Sequence, residues 1–160
     1  MKNCIVSIYF MTFAFFSLAQ NTWQADLLQQ VNALRQQGCR CGNQNYASTT
    51  ALAWNSRLEL SSNNHATDMN SKRYFNHTSR NGNGFAERIE AAGYNWGRCG
   101  ENIAEGQLSV NEVFTAWRKS PSHCKNMMSP NYKEMGAARS GNYWVQDFGT
   151  LLVPLPKKRK

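Results

Sequence analysis

Apolar and polar positions along this chain fall into two rhythms, one helical and one extended. Trp23, Leu27, Val31 and Leu34 recur at helical spacing, which predicts an amphipathic helix over 22–37, stopped by Gly38. Residues 38–53 show neither period and read as a polar loop carrying Cys39 and Cys41. Ser56-Arg57-Leu58-Glu59 has the form of a capping box and opens a second helix running to about Tyr74, with Leu58, Ser62, His65 and Met69 on its inner stripe. A Gly- and Asn-rich loop follows over 76–84. Phe85, Ile89 and Ala92 then mark a short third helix, stopped by Gly93. Cys99 to Ala104 is apolar at alternate positions and reads as a strand. Ser109-Val110-Asn111-Glu112 is a second capping box, opening a fourth helix through Val113, Phe114 and Trp117 that Pro121 ends. Tyr132 to Ser140 and Tyr143 to Thr150 are extended, joined at Gly141-Asn142 by a two-residue hairpin turn. The pattern predicts one α/β domain, with helices around a small, mainly antiparallel sheet.

The first residues stand apart from this pattern. Lys2 gives a positive start, Ile5 to Leu18 is apolar and rich in Phe, and small residues flank Leu18 at Ser17 and Ala19. This is the form of a secretory signal peptide over 1–19, cleaved near Ala19 so that the exported chain begins near Gln20. The run is too short for a membrane span of about 20 residues. Cys4 precedes the run, which argues against a lipidated cysteine. Cleavage removes one lysine and no acid, so the net charge falls from +8 to +7. The expected organisation is a signal over 1–19, one domain over 20–152 and a basic tail over 153–160 that includes Lys157, Lys158, Arg159 and Lys160. A basic secreted domain favours an anionic surface, lipid or cell-wall component as partner. No nucleic-acid-binding motif is present, so nucleic acid is not expected.

Removal of the leader also leaves four cysteines, Cys39, Cys41, Cys99 and Cys124. An even number in an exported chain reads as two disulfides. Zinc held by four cysteines is disfavoured, because paired knuckles are absent and only one C-x-C occurs.

Three histidines carry the candidate chemistry. His65 sits on the inner stripe of the second helix and reads as a buried, hydrogen-bonded packing residue. His77 and His123 each fall just past a helix end, where side chains can converge on a cleft. Glu101 interrupts an apolar strand, and a carboxylate there needs a partner or must take up a proton. Two histidines and one glutamate also make an open zinc set, with a coordination position left for water. The chain has no local motif such as H-E-x-x-H and no G-x-S-x-G nucleophile. Ser120 and Ser122 beside His123 read as capping and turn residues before they read as nucleophiles. Asn76-His77-Thr78 matches a glycosylation sequon, a short pattern that recurs by chance.

Taken in order, Phe75-Asn76-His77-Thr78, Ala91-Ala92-Gly93-Tyr94, Gly100-Glu101-Asn102-Ile103-Ala104, Trp117 with Ser120-Pro121-Ser122-His123-Cys124, Met128-Ser129-Pro130 and Tyr143-Trp144-Val145-Gln146-Asp147-Phe148-Gly149 resemble the CAP superfamily. These are the cysteine-rich secretory proteins, antigen 5 proteins and pathogenesis-related class 1 proteins. The resemblance spans about residues 25–150 and is nearest to compact bacterial members. It implies an α-β-α sandwich, taken here as a three-stranded, mainly antiparallel sheet flanked by about four helices. It also implies a cleft of two His and two Glu. By position these are His77, Glu101 and His123, while the second Glu position holds Ser120. That loss weakens any hydrolysis needing two carboxylates and does less damage to a metal site formed by His77 and His123, with Glu101 as a further candidate ligand. Zinc or another divalent ion is expected to be weakly held. The resemblance further pairs Cys41 with Cys124, which leaves Cys39 for Cys99. The reading leans away from enzyme activity toward an extracellular ligand-, lipid- or wall-binding module. The alternative is a metal-assisted hydrolase of peptide or cell-wall substrates.

Overall fold

The structure, a computed structural model, describes residues 23–153. The expected leader, its cleavage point and residues 154–160 of the basic tail lie outside the described residues. The elements in chain order are α1 (Trp23–Gln37), β1 (Cys39–Cys41), β2 (Gln44–Tyr46), β3 (Ala53–Trp54), α2 (Ser56–Lys72), α3 (Phe85–Ala91), β4 (Trp96–Glu105), α4 (Val110–Lys119), α5 (Pro121–Met128), β5 (Glu134–Ser140) and β6 (Tyr143–Leu151).

One sheet organises the domain. Its strand order is β3-β5-β6-β4, with β5, β6 and β4 antiparallel and only the two-residue β3 parallel to its neighbour. The β5–β6 hairpin turns at Gly141-Asn142, with Ser140 opposite Tyr143 and Gly141 at a positive φ of 57°. Alternation along β6 then sorts side chains to two faces. Trp144 and Phe148 pack with Leu27 and Val31 of α1, Val113 and Trp117 of α4 and Met127 of α5. Val145 packs instead with Ala66 and Met69 of α2 and Ile103 of β4. Leu58, Ile89 and Tyr94 close the core between α2 and α3. The result is an α-β-α sandwich, with α2 and α3 on one face and α1, α4 and α5 on the other. The start of α2 lies directly on β5: a Cβ at Gly136 would stand 2.1 Å from the Glu59 backbone nitrogen.

Several boundaries differ from the sequence expectation. The sheet has a fourth strand, β3, too short to carry a periodic pattern. The expected loop over 38–53 folds in part as the β1–β2 hairpin, turning at Gly42 with a φ of 58°. Asn55, not Ser56, caps α2, its Oδ1 accepting from the Arg57 and Leu58 amides. Glu59 of the expected box instead accepts from Trp54 Nε1 at 2.8 Å. Pro121 does not merely end α4. It is the first residue of α5, where its missing N–H costs no helical bond and its fixed φ suits the helix start.

One predicted disulfide forms and one does not. Cys41 is bonded to Cys124, tying β1 to the first turn of α5. Cys39 and Cys99 are free thiols. In an extended strand residues two apart face the same way, so β1 turns Cys39 with Cys41 toward α5. Cys99, on β4, packs beside Leu58, Ile89 and Tyr94. The two thiols belong to different parts of the core, and the pairing of Cys39 with Cys99 is incorrect.

Candidate functional site

The site forms at β4, the strand that ends the sheet. Glu101 lies on β4 opposite Asp147 of β6, both side chains toward the α2–α3 face. Its carboxylate is buried and both oxygens are engaged. His77 Nδ1 lies 2.7 Å from Oε1, and Arg88 Nη2 of α3 donates to Oε2 at 2.5 Å. The His77 side chain is half exposed. A donated Nδ1–H to Glu101 leaves Nε2 as the free ring nitrogen, the arrangement by which carboxylates orient histidine ligands.

Arg88 and His65 fix the loop that carries His77. Arg88 Nη1 donates to the His77 and Asn83 carbonyls, each at 2.9 Å, and to Ser79 Oγ at 3.1 Å. Ser79 Oγ stands 3.3 Å from His65 Nδ1, and His65 Nε2 stands 2.9 Å from the Asn76 carbonyl. A carbonyl can only accept, so His65 carries its proton on Nε2 and takes the Ser79 hydroxyl at Nδ1. Burial lowers the His65 pKa and so favours this neutral form. His65 is fully buried and acts as the sequence predicts, holding the backbone on either side of its contacts.

His123 comes from the other layer. It stands in the first turn of α5, not in a loop as expected, and is half-buried. Burial lowers its pKa, and the charge of His77 lowers it further. Three contacts seat α5 against β4: Asn126 Nδ2 donates to the Glu101 carbonyl at 3.0 Å and to Asn102 Oδ1 at 2.9 Å, and Asn102 Nδ2 donates to the His123 carbonyl at 3.2 Å. At the far end of α5, the buried Arg35 donates to the carbonyls of Met127 and Ser129 at 2.7 and 2.9 Å. Burial lowers the Arg35 pKa to about 10. Ser120, at the position of the absent second glutamate, bonds Ser122 Oγ at 3.2 Å at the start of α5.

Beneath Glu101 lies Asp147, fully buried. Burial raises its pKa well above the carboxylate range, and the charge of Glu101 adds to the rise. Ser62 Oγ stands within reach of both Asp147 Oδ2 and the Gly136 carbonyl, at 3.1 and 3.3 Å. A hydroxyl has one proton for those two acceptors. A protonated Asp147 resolves the conflict by donating to Ser62, which then donates to Gly136.

Of the residues expected from the sequence, the structure joins His77 to Glu101 and seats the His123 backbone against Asn102 of β4; Arg88 and Asp147 were not expected there. A signal for Arg88 existed, since it shares helical spacing with Phe85, Ile89 and Ala92 of the inner stripe. As placed, His77, Glu101 and His123 do not bring three ligand atoms within 4.8 Å of one another. Among the described residues, Cys39, Cys41 and Cys124 do.

The family model for CAP, the cysteine-rich secretory protein family, matches residues 28–148, and the chain belongs to this family. The uncharacterized protein YkwD of Bacillus subtilis is 37% identical over 83 residues, which are 51% of this chain and 32% of that protein. The uncharacterized membrane protein YlbC of the same bacterium is 27% identical over 84 residues, 52% of this chain and 24% of that protein. The chain therefore spans a third or less of the curated relatives it matches. An extracellular protein containing an SCP domain from Bacillus anthracis superposes with a TM-score of 0.71 at 20% identity, covering 79% of this chain and 40% of that one. An outer surface protein from Borrelia burgdorferi superposes with a TM-score of 0.69 at 22% identity, covering 80% and 92%. These solved structures carry the same α-β-α sandwich. No helix among the described residues is long and apolar enough to cross a membrane.

Proposed function

We propose that this CAP domain is an extracellular, non-enzymatic binding module that presents His77 and His123 to its ligand. The observation that carries the reading is the engagement of Glu101. Each carboxylate oxygen already holds a strong donor, His77 Nδ1 on one side and Arg88 Nη2 on the other. Such a carboxylate orients an imidazole and is poorly placed to take a proton from water. Ser120 supplies no second carboxylate. The neighbouring proteins described as extracellular or outer surface proteins support export. The basic composition supports an anionic lipid or wall polymer as partner.

We propose further that the cleft takes a divalent ion weakly, with two imidazoles as the donor set. His77 Nε2 and a nitrogen of His123 would be its protein ligands, with Glu101 behind His77 as a buttress. When bound, such an ion would supply a Lewis-acid point for an anionic group. Titration calorimetry with zinc on the disulfide-bonded protein tests the reading, run beside peptide and cell-wall hydrolysis assays. Modest binding lost in His77→Ala, His123→Ala, without turnover of either substrate, is the expected result. Turnover abolished by the same double substitution would replace this reading with a metal-assisted hydrolase.

A further inference from the structure

A second cluster lies at the β1–α5 junction. The extended β1 turns Cys39 and Cys41 the same way, and α5 brings up Cys124 in its first turn. Cys41 and Cys124 are bonded to each other and buried, while Cys39 is partly exposed. The Cys39 sulfur stands 3.7 Å from the Cys41 sulfur and 3.7 Å from the Cys124 sulfur.

This equality discriminates between two chemistries. A thiolate that attacks a disulfide approaches along the S–S axis, whereas a sulfur equidistant from both lies beside the bond. The arrangement therefore does not favour internal exchange. It does match a metal cradle: three thiolates about a tetrahedral zinc at ~2.3 Å stand about 3.8 Å apart. Cys39 is already at that separation from both partners. Only the Cys41–Cys124 separation has to widen, and breaking their bond allows it.

We propose that Cys39, Cys41 and Cys124 form a redox-gated thiolate site for a thiophilic cation of the zinc class, closed by the disulfide and opened by its reduction. In the opening step a dithiol gives up two electrons and two protons and becomes a disulfide. The Cys41–Cys124 bond breaks and two thiols result. Cation binding then releases the three thiol protons to water. A divalent ion on three thiolates carries one net negative charge, and the Arg118 guanidinium offsets it. Burial raises the Cys39 thiol pKa, and Arg118 already works against that rise. The partly exposed side of Cys39 gives reductant and cation their approach. The site shares no ligand with the histidine cleft.

Cadmium is the probe, because cadmium–thiolate bonds absorb in the ultraviolet. The parent is the full chain with Cys4→Ser and Cys99→Ser, so that Cys39, Cys41 and Cys124 are its three remaining cysteines. It is reduced with a phosphine, freed of reductant and titrated without oxygen. One cadmium per chain with a thiolate charge-transfer band is expected in the reduced parent, and no band in the oxidised parent. Adding Cys39→Ser should lower cadmium affinity at least 100-fold. Adding His77→Ala and His123→Ala instead should leave the band unchanged. Because reduction removes a bridge, melting of the reduced proteins is followed by circular dichroism. Cadmium should raise the melting temperature of the reduced parent and leave that of the reduced Cys39→Ser variant where it was. The proposal is overturned by no band in the reduced parent, by equal affinity with serine at position 39, or by a reduced parent that cadmium does not stabilise.

Discussion

Arg88 Nη2 donates to Glu101 Oε2 at 2.5 Å, with the Glu101 side chain fully buried and the Arg88 side chain only 9% exposed. The contact is the hinge of the site, since the same guanidinium also holds the His77 carbonyl. Removing one member of a buried ion pair strands the other charge, at about 3–5 kcal/mol. Arg88→Met is therefore expected to lower unfolding free energy by about that amount in urea. A loss below about 1 kcal/mol would mean that Glu101 finds another counter-charge.

Glu101→Gln tests the buttress separately. The amide keeps the shape of the carboxylate and removes the charge that orients His77. Loss of such a supporting carboxylate typically lowers metal affinity 10- to 100-fold. Competition titration with a zinc chromophore should show a drop in that range. Unchanged affinity would mean that Glu101 plays no part in binding.

Acid should act through His65. Burial holds its pKa below the usual histidine range, so the folded state favours the neutral ring. The unfolded chain takes up this proton near pH 6.5 and the folded chain only at lower pH. The contribution of His65 is therefore fully present above about pH 6.5 and lost as pH falls through the folded value. Asp147 has the opposite sign. Its pKa is raised, so its contribution is present below about pH 3.9 and lost as pH rises through the folded value. The difference between wild type and His65→Gln isolates the histidine. That stability gap should be flat above pH 7.5 and shrink on acidification toward pH 5, measured by urea unfolding at each pH. A gap independent of pH would contradict the neutral-ring assignment.

The bridge makes its own prediction. Cys41 and Cys124 are 83 residues apart in sequence, and closing a long loop stabilises a small domain by about 2–5 kcal/mol. Cys41→Ser should cost that much in urea unfolding. Peptide mapping of the unreduced protein should return Cys41 joined to Cys124 and leave Cys39 and Cys99 open to alkylation. A peptide joining Cys39 to Cys99 would contradict the structure.

The parts of the fold that were legible in the sequence are those with a long period. Leu58, Ser62, His65 and Met69 marked the inner face of α2, and all four are buried. Gly141-Asn142 marked the hairpin. Ser109 marked the start of α4, where its Oγ accepts the Glu112 amide. The misses were short elements. The β1–β2 hairpin and β3 hold three or two residues per strand, too few to show alternation. Reading Cys39-Arg40-Cys41 as a strand would have put both thiols on one face and removed the Cys39–Cys99 pairing. α5 was hidden because Pro121 reads equally as a stop and as a first helical residue. Cys124, Met127 and Met128 carry the spacing that decides between them. His77, Glu101 and His123 were singled out by a polar residue in an apolar run and by family positions, and the structure joins the first two. Arg88 carried only its spacing beside Ile89 as a signal, because arginine on a short helix reads as surface until its counter-charge is known to be buried beside it.

We expect ligands to meet the imidazoles of the cleft while Glu101 stays behind His77. Anomalous scattering from zinc-soaked crystals of the oxidised protein tests it most directly. The expected result is a partly occupied zinc peak about 2.1 Å from His77 Nε2, with a His123 nitrogen completing the protein ligands and Glu101 still bonded to His77 Nδ1 and Arg88. A zinc ion coordinated by the Glu101 carboxylate, or ordered zinc elsewhere with none at His77, would contradict it.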